Sequence, residues 1–312
     1  MNKINTFTST GIKLAHHPDA VSLIKKHHKG SPISLQIAPT SQCNLRCEFC
    51  SNVNRKRHEH LVFSKLVNFI ERLQNLGLKA VEISGGGDPT MYSEIERLIT
   101  YCADMSLNVG MITNGIKLHE MGIAVLNKLT WLRISMNCLD YVDHVKIPKI
   151  TGTLGFSYVW NKRTCNEVLV NLHRYVEIAN PAYVRIVPNC QATVEEQRAN
   201  NQRLFQEIEK WGPPYFYQVK DFRTPDNCYW GYLKPFLLHD GYVYPCSSVV
   251  LNDSANRYFN EKYRWYGMDD FPKIYDSSMK SFPTKNCTHC VFAGQNDLID
   301  SLMNPNGMED FI

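Results

Sequence analysis

The chain has 312 residues, of which 44% are hydrophobic and 21% charged, and its formal net charge is +4. That length predicts about two domains, or one large domain with an appendage, and the composition excludes disordered, collagen-like and coiled-coil chains. The mild charge gives no strong argument for a nucleic-acid or membrane partner, and no apolar run reaches the ~18 residues of a membrane span.

The stretch Met1–His17 is polar and shows no export signal. Residues 1–32 read as an N-terminal helical extension in which the pairs His16-His17 and His27-His28 lie at the surface. Six apolar runs then predict strands: Ile33–Ala38, Ala80–Ser84, Leu107–Ile112, Trp131–Met136, Leu154–Val159 and Tyr183–Val187. Phe63–Leu76, Ser93–Met105, Leu118–Lys128, Cys165–Ile178 and Thr193–Lys210 carry apolar residues at helical spacing. This alternation predicts an α/β fold with a parallel sheet, either a partial barrel or a doubly wound sheet. The breaker cluster Trp211-Gly212-Pro213-Pro214 marks a domain boundary between residues 33–212 and 213–312. The tail shows no long amphipathic helix. Its Tyr242-Val243-Tyr244 reads as a hairpin strand after a turn at Gly241.

Eleven cysteines are many for a chain with no use for thiols. The odd count and the lack of an export signal point to metal ligation in a reducing, cytoplasmic compartment rather than to disulfides. Cys43, Cys47 and Cys50 have the spacing C-x3-C-x2-C, directly after the first strand, on the loop where such folds place active sites. Three soft thiolates this close can hold three corners of an iron–sulfur cube and leave one iron open. A zinc site with His58 or His60 as fourth ligand is the alternative.

These residues, with Phe49 before the third cysteine, resemble the motif of the radical S-adenosylmethionine (radical SAM) superfamily. The resemblance implies a partial (β/α)6 TIM-like barrel, a 4Fe–4S cluster on Cys43, Cys47 and Cys50, and S-adenosylmethionine chelated at the open iron. It implies reductive cleavage to a 5′-deoxyadenosyl radical, fed by a flavodoxin- or ferredoxin-type reductant. Ser84-Gly85-Gly86-Gly87-Asp88 matches the glycine motif whose backbone holds the methionyl amino group; the family often has Glu where this chain has Asp88. The resemblance also places Asn114, Ser135, Asn137, Ile186 and Val187 around the cofactor.

Cys228 and Cys246, with Gly241 between them, and the C-x2-C pair Cys287 and Cys290 form a second set. By spacing alone it suits a structural zinc. Beside the first motif it resembles the shortened, twitch-type form of the SPASM auxiliary domain, and the spacing in 2-deoxy-scyllo-inosamine dehydrogenase. That resemblance implies a second, fully ligated 4Fe–4S cluster able to accept an electron, hence oxidation of substrate.

Of the other cysteines, Cys102 and Cys165 read as buried small hydrophobes. Cys138 and Cys190 follow the fourth and sixth strands and are candidate hydrogen donors, which would make the enzyme an epimerase or isomerase. The basic run Asn54–His58 reads as solvated loop, or as a phosphate or nucleic-acid contact. Arg257-Tyr258-Phe259 and Tyr263-Arg264-Trp265-Tyr266 read as core of the small domain, or as a base-stacking surface. The expected function is a radical SAM oxidoreductase acting on a small-molecule, peptide or nucleotide/DNA-linked substrate. A zinc-binding structural or nucleic-acid-binding protein is the non-enzyme alternative.

Overall fold

The computed structural model describes residues 6–53, 55–56, 58–219, 223–249, 261–287 and 290–308. Seven strands run parallel: β1 (Ser34–Ile37), β2 (Ala80–Ile83), β3 (Asn108–Thr113), β4 (Trp131–Ser135), β5 (Thr153–Trp160), β6 (Tyr183–Pro188) and β7 (Tyr215–Tyr217). Each pairs with the next in chain order. On the other side of β1 the sheet continues through β8 (Phe236–Leu237), parallel to β1, and antiparallel β9 (Tyr242–Tyr244) and β10 (Tyr266–Gly267). The ten-stranded sheet is a curled, open wall, a partial TIM-like barrel whose edge is extended by the C-terminal region. Among the described residues no helix is long and apolar enough to cross a membrane.

The strands are two-faced. Leu35, Ile37, Val81, Ile83, Val109, Met111, Leu132, Ile134, Phe156, Val184 and Ile186 form the core shared with the outer helices. The alternate residues, among them Gln36, Glu82, Arg133, Tyr183 and Arg185, line a central lumen. The outer helices bury one apolar stripe each. In α2 (Phe63–Gln74) it is Leu66, Phe69, Ile70 and Leu73, and in α3 (Ile95–Asp104) Ile95, Leu98, Ile99 and Cys102. The N-terminal extension contains α1 (Pro18–His27). Ahead of it, Phe7 stacks on Tyr183 at 4.2 Å and closes the lumen at the N-terminal ends of the strands.

The elements differ from expectation over Leu118–Lys128 and in the tail. The helix expected over Leu118–Lys128 is a short 3₁₀ turn and one helical turn, α4 (Ile123–Leu126), because Met121 and Gly122 are extended. The remaining barrel helices, α5 (Asn166–Ala179) and α6 (Val194–Trp211), are long, α6 starting on a capping box of Thr193 and Glu196. The Trp211–Pro214 cluster turns α6 into β7, which pairs with β6, so the parallel sheet continues past the breaker residues. The tail, after the short α7 (Trp230–Leu233), ends in an amphipathic helix, α8 (Ala293–Met303), which packs on α1. The hairpin at Tyr242–Tyr244 forms as expected, with Gly241 at φ +82°.

Candidate active site

The loop after β1 carries the first cysteines. It folds back on itself through Cys50 N–H donating to the Cys47 carbonyl (3.1 Å). Leu45 N–H points at Cys43 Sγ and Asn52 N–H at Cys50 Sγ, each 3.4 Å away. Arg55, expected in a solvated basic run, is buried. Its Nε donates to the Ser41 carbonyl and its Nη1 to the Asn52 carbonyl, both at 2.7 Å, and Nη1 lies 3.8 Å from Cys50 Sγ. Asn54 and Arg57 of that run lie outside the described residues, as do Arg257, Tyr258 and Phe259. Burial pushes the Cys43 thiol up, and burial with the neighbouring Cys50 and Cys43 thiols pushes Cys47 up to about 12. A soft cation bound there would offset that cost by stabilising the thiolate forms.

The glycine motif leans directly on that loop. Gly87 N–H donates to the Thr40 carbonyl and Asp88 N–H to the Gln42 carbonyl, both at 2.7 Å. A Cβ on Gly87 would sit 1.8 Å from the Gln42 carbonyl oxygen, and one on Gly86 2.5 Å from the His239 ring. Only glycine lets these backbones meet. Ser84 and Gly85 are the members of the motif that line the lumen.

Asp88 is a strut. Its carboxylate is buried and accepts from Thr90 N–H (3.0 Å) and hydroxyl (2.6 Å), Thr113 hydroxyl (2.8 and 3.0 Å) and Asn114 N–H (2.7 Å). Asn114 in turn donates to Asn44 Oδ1 at 2.6 Å, beside Cys43. Two loop ends and the cysteine loop are thereby one hydrogen-bonded unit.

The other expected cofactor residues divide. Phe49 is buried against the cysteine loop, and Ser135 ends β4. Asn137 commits its amide to both the N–H and the carbonyl of Val159 and to Asp140, and serves as a clamp between strand ends. Val187 faces the lumen, but Ile186 points into the helix-side core, because neighbouring strand residues face opposite ways. Cys138 has no exposed surface, and burial pushes its thiol up to about 12. It sits in the core rather than at the mouth where a hydrogen donor would stand. Cys190 lines the lumen, its Sγ 3.4 Å from the Phe49 carbonyl, and Gln191 Nε2 donates to the Cys50 carbonyl at 2.7 Å. Cys102 is buried, as expected; Cys165 is exposed, because it caps the start of α5.

The second set lies beside a small core of Ala38, Phe236, Leu238, Tyr244, Val249, Tyr263 and Phe282. Cys228 is pushed up to about 12 by burial and then by Cys290 and Cys287. Cys246 is raised by burial, Cys228 and Cys290, and Cys287 to about 11 by burial and Cys290. The four thiols are therefore within electrostatic reach of one another. Thr288 and His289 lie outside the described residues. Asn296 of α8, which the sequence reading missed, accepts Tyr229 and Trp230 N–H at 2.7 and 2.9 Å and holds the segment after Cys228.

Among the described residues no group of three or more His, Cys, Asp or Glu is placed to hold a single metal ion, and His58 and His60 are exposed. One cavity of about 1020 Å³ joins the regions. Its wall includes Ser51 and Asn52 after Cys50, then Gly85 and Cys190, and finally Ser247 and Ser248 after Cys246 and Val291 after Cys290.

Residues 37–163, which include the three-cysteine loop and the glycine motif, match the family model of the Radical SAM superfamily. The chain carries a radical SAM domain. That superfamily brings a 4Fe–4S cluster and S-adenosylmethionine, which the three-thiol loop and the glycine motif suit. The radical SAM domain also accounts for the glycine motif and the barrel, which a zinc-binding protein leaves unexplained. Among curated proteins, the chain is 29% identical over 125 residues to a "Probable GTP 3′,8-cyclase" of Pyrococcus abyssi, covering 39% of this chain and 40% of that one. It is 26% identical over 180 residues to the GTP 3′,8-cyclase of Synechocystis, covering 56% and 49%. These matches span less than half of each relative's length. Among solved structures, Streptococcus suis SuiB bound to precursor peptide SuiA aligns with a TM-score of 0.57 at 15% identity, covering 93% of this chain and 76% of that one. Native anSMEcpe with bound AdoMet and Kp18Cys peptide aligns at a TM-score of 0.50 and 14% identity, covering 90% of this chain and 86% of that one. At such identities these structures speak to the radical SAM fold alone.

Proposed function

We propose that this radical SAM chain oxidises a small molecule held in the lumen between its two cysteine sets. The observation that carries the reading is a cavity whose wall includes residues adjacent to Cys50 as well as residues adjacent to Cys246 and Cys290. Cys43, Cys47 and Cys50 would hold a cluster that, with S-adenosylmethionine, would supply radical chemistry at the substrate, and Cys228, Cys246, Cys287 and Cys290 would hold a cluster that would supply an electron acceptor. The chain's own part is to hold geometry. Arg55 and the Gly87–Thr40 contact fix the three-thiol loop, Gly85 presents backbone to the lumen, and Phe7 with Tyr183 closes the far end. The reading places the chain in the cytoplasm with a flavodoxin- or ferredoxin-type reductant.

The test is iron, sulfide and 5′-deoxyadenosine after anaerobic purification and reduction. The reading expects about eight irons per chain, falling to about four when Cys228, Cys246, Cys287 and Cys290 are replaced. The Cys43, Cys47 and Cys50 triple variant should form no 5′-deoxyadenosine. Cleavage persisting in that variant, or zinc in place of iron, sinks the proposal; about four irons in the unmodified chain removes the electron acceptor.

A second reading, redox-neutral epimerisation, is favoured by the place of Cys190 in the lumen wall. Deuterium carried from D2O into the product, and lost with Cys190→Ala, would select it over oxidation.

A further inference from the structure

The lumen is unevenly charged. Lys13, Arg133, Arg185 and Lys234 all line it, against the single carboxylate of Glu82. Glu82 is engaged by Lys234 Nζ at 2.8 Å. Burial would raise its carboxyl, but Lys234, Arg133 and Arg185 together hold it below its usual range. The other bonds of these cations go to neutral acceptors. Arg133 donates to the Tyr183 hydroxyl and the Phe7 carbonyl, both at 2.8 Å, Lys234 to Ser9 Oγ at 2.8 Å, and Lys13 to the Thr6 carbonyl at 2.9 Å.

Arg185 differs from the other three. It stands on β6 between Tyr183 and Val187, which line the same lumen, and its Nε is buried with no hydrogen-bond partner among the described residues. Burial and the nearby Arg133 pull its guanidinium down to about 9. Orphaned buried donors are rare, and a buried cation is costly unless an anion meets it. A guanidinium is built to meet two oxygens of one carboxylate or phosphate at once.

We propose that Arg185, with the cations gathered round Glu82, binds an oxyanion group of the substrate, a phosphate or a carboxylate, in the barrel lumen. The assignment rests on the reading of the lumen as the substrate chamber. It narrows the substrate class to an anionic small molecule, anchored at one end with its reacting carbon toward Gly85 and Cys190.

The test titrates anaerobically prepared holoenzyme with inorganic phosphate and, separately, acetate. Chloride holds ionic strength constant so that screening of surface charge does not vary. The readout is the saturable rise in melting temperature. The expected result is saturable binding of one of the two anions, weakened at least about tenfold by Arg185→Gln. Tighter phosphate assigns a phosphorylated substrate, tighter acetate a carboxylic one. Should Arg185→Gln not fold, Arg185→Lys keeps the charge and loses the fork, and should weaken binding about threefold or more. No saturable binding, or equal binding by wild type and whichever variant folds, overturns the site. Wild type that binds phosphate yet forms no 5′-deoxyadenosine overturns the proposed function and not the site. Wild type that forms it with no anion binding overturns the site alone.

Discussion

Replacing Asp88 with asparagine separates a strut from a cofactor ligand. The substitution keeps shape and exchanges one oxygen for an amide nitrogen. One oxygen position faces Thr90 N–H at 3.0 Å and the other faces Asn114 N–H at 2.7 Å. Whichever way the new amide turns, a donor meets a donor and one backbone N–H loses its partner. The site is only 4% exposed, so water does not replace the bond. Leaving one buried donor unsatisfied costs about 1–3 kcal/mol. For a chain of this length a loss of 1 kcal/mol lowers Tm by roughly 1.5 °C, so the expected fall is about 1.5–4.5 °C. The assay is thermal unfolding with and without S-adenosylmethionine, on wild type, Asp88→Asn, Thr113→Val and the double variant. A strut lowers Tm in both conditions, and the pair of substitutions costs less than the sum of the singles, because both break one network. An Asp88→Asn protein with unchanged Tm when S-adenosylmethionine is absent would refute the strut and return the carboxylate to a role in cofactor contact.

Gly87→Ala forces the Gln42 carbonyl away from a 1.8 Å approach and should strip iron from the Cys43 loop; normal iron retention would show that these backbones part freely. Asn296→Ala orphans the N–H groups of Tyr229 and Trp230 and should cost about 2–4 kcal/mol in urea unfolding at unchanged m-value; an unmoved midpoint would show that Asn296 does not hold the segment after Cys228. Burial holds the His239 imidazole below its usual 6.5, against the opposing pull of Glu59 Oε2 3.0 Å from Nδ1. The unfolded chain then takes the proton first, so stability present above pH 6.5 declines as pH falls below it. His17 and His173 shift the same way, so His239→Gln should flatten the decline without abolishing it; an unchanged slope would show that His239 titrates normally.

What the sequence makes legible here is local. Cys43, Cys47 and Cys50 lie within eight residues, and Ser84–Asp88 is continuous, so their chemistry survives without knowledge of the fold. The stripe Leu66, Phe69, Ile70 and Leu73 likewise shows as a helix from periodicity alone. What escapes depends on parity and partners. Ile186 and Val187 are equivalent as letters, and only the pleat decides which one sees the lumen. Arg55 reads as one of several surface cations until the Ser41 and Asn52 carbonyls surround it. Asp88 and Asn137 are polar residues at strand ends whose hydrogen bonds run to segments 22–26 residues away. Arg133 and Arg185 did leave a signal, a lone charged residue inside each of two largely apolar runs.

The pairing of β8 with β1 has a consequence for synthesis. Gln36 pairs with Phe236, so the open edge of β1 waits for a partner made 200 residues later. At 5–20 residues per second that wait is roughly 10–40 s. An uncovered parallel edge is a template for the wrong neighbour. Through that interval the nascent chain presents the ladder just upstream of its three thiols, and only the emergence of the segment between Cys228 and Cys246 covers it.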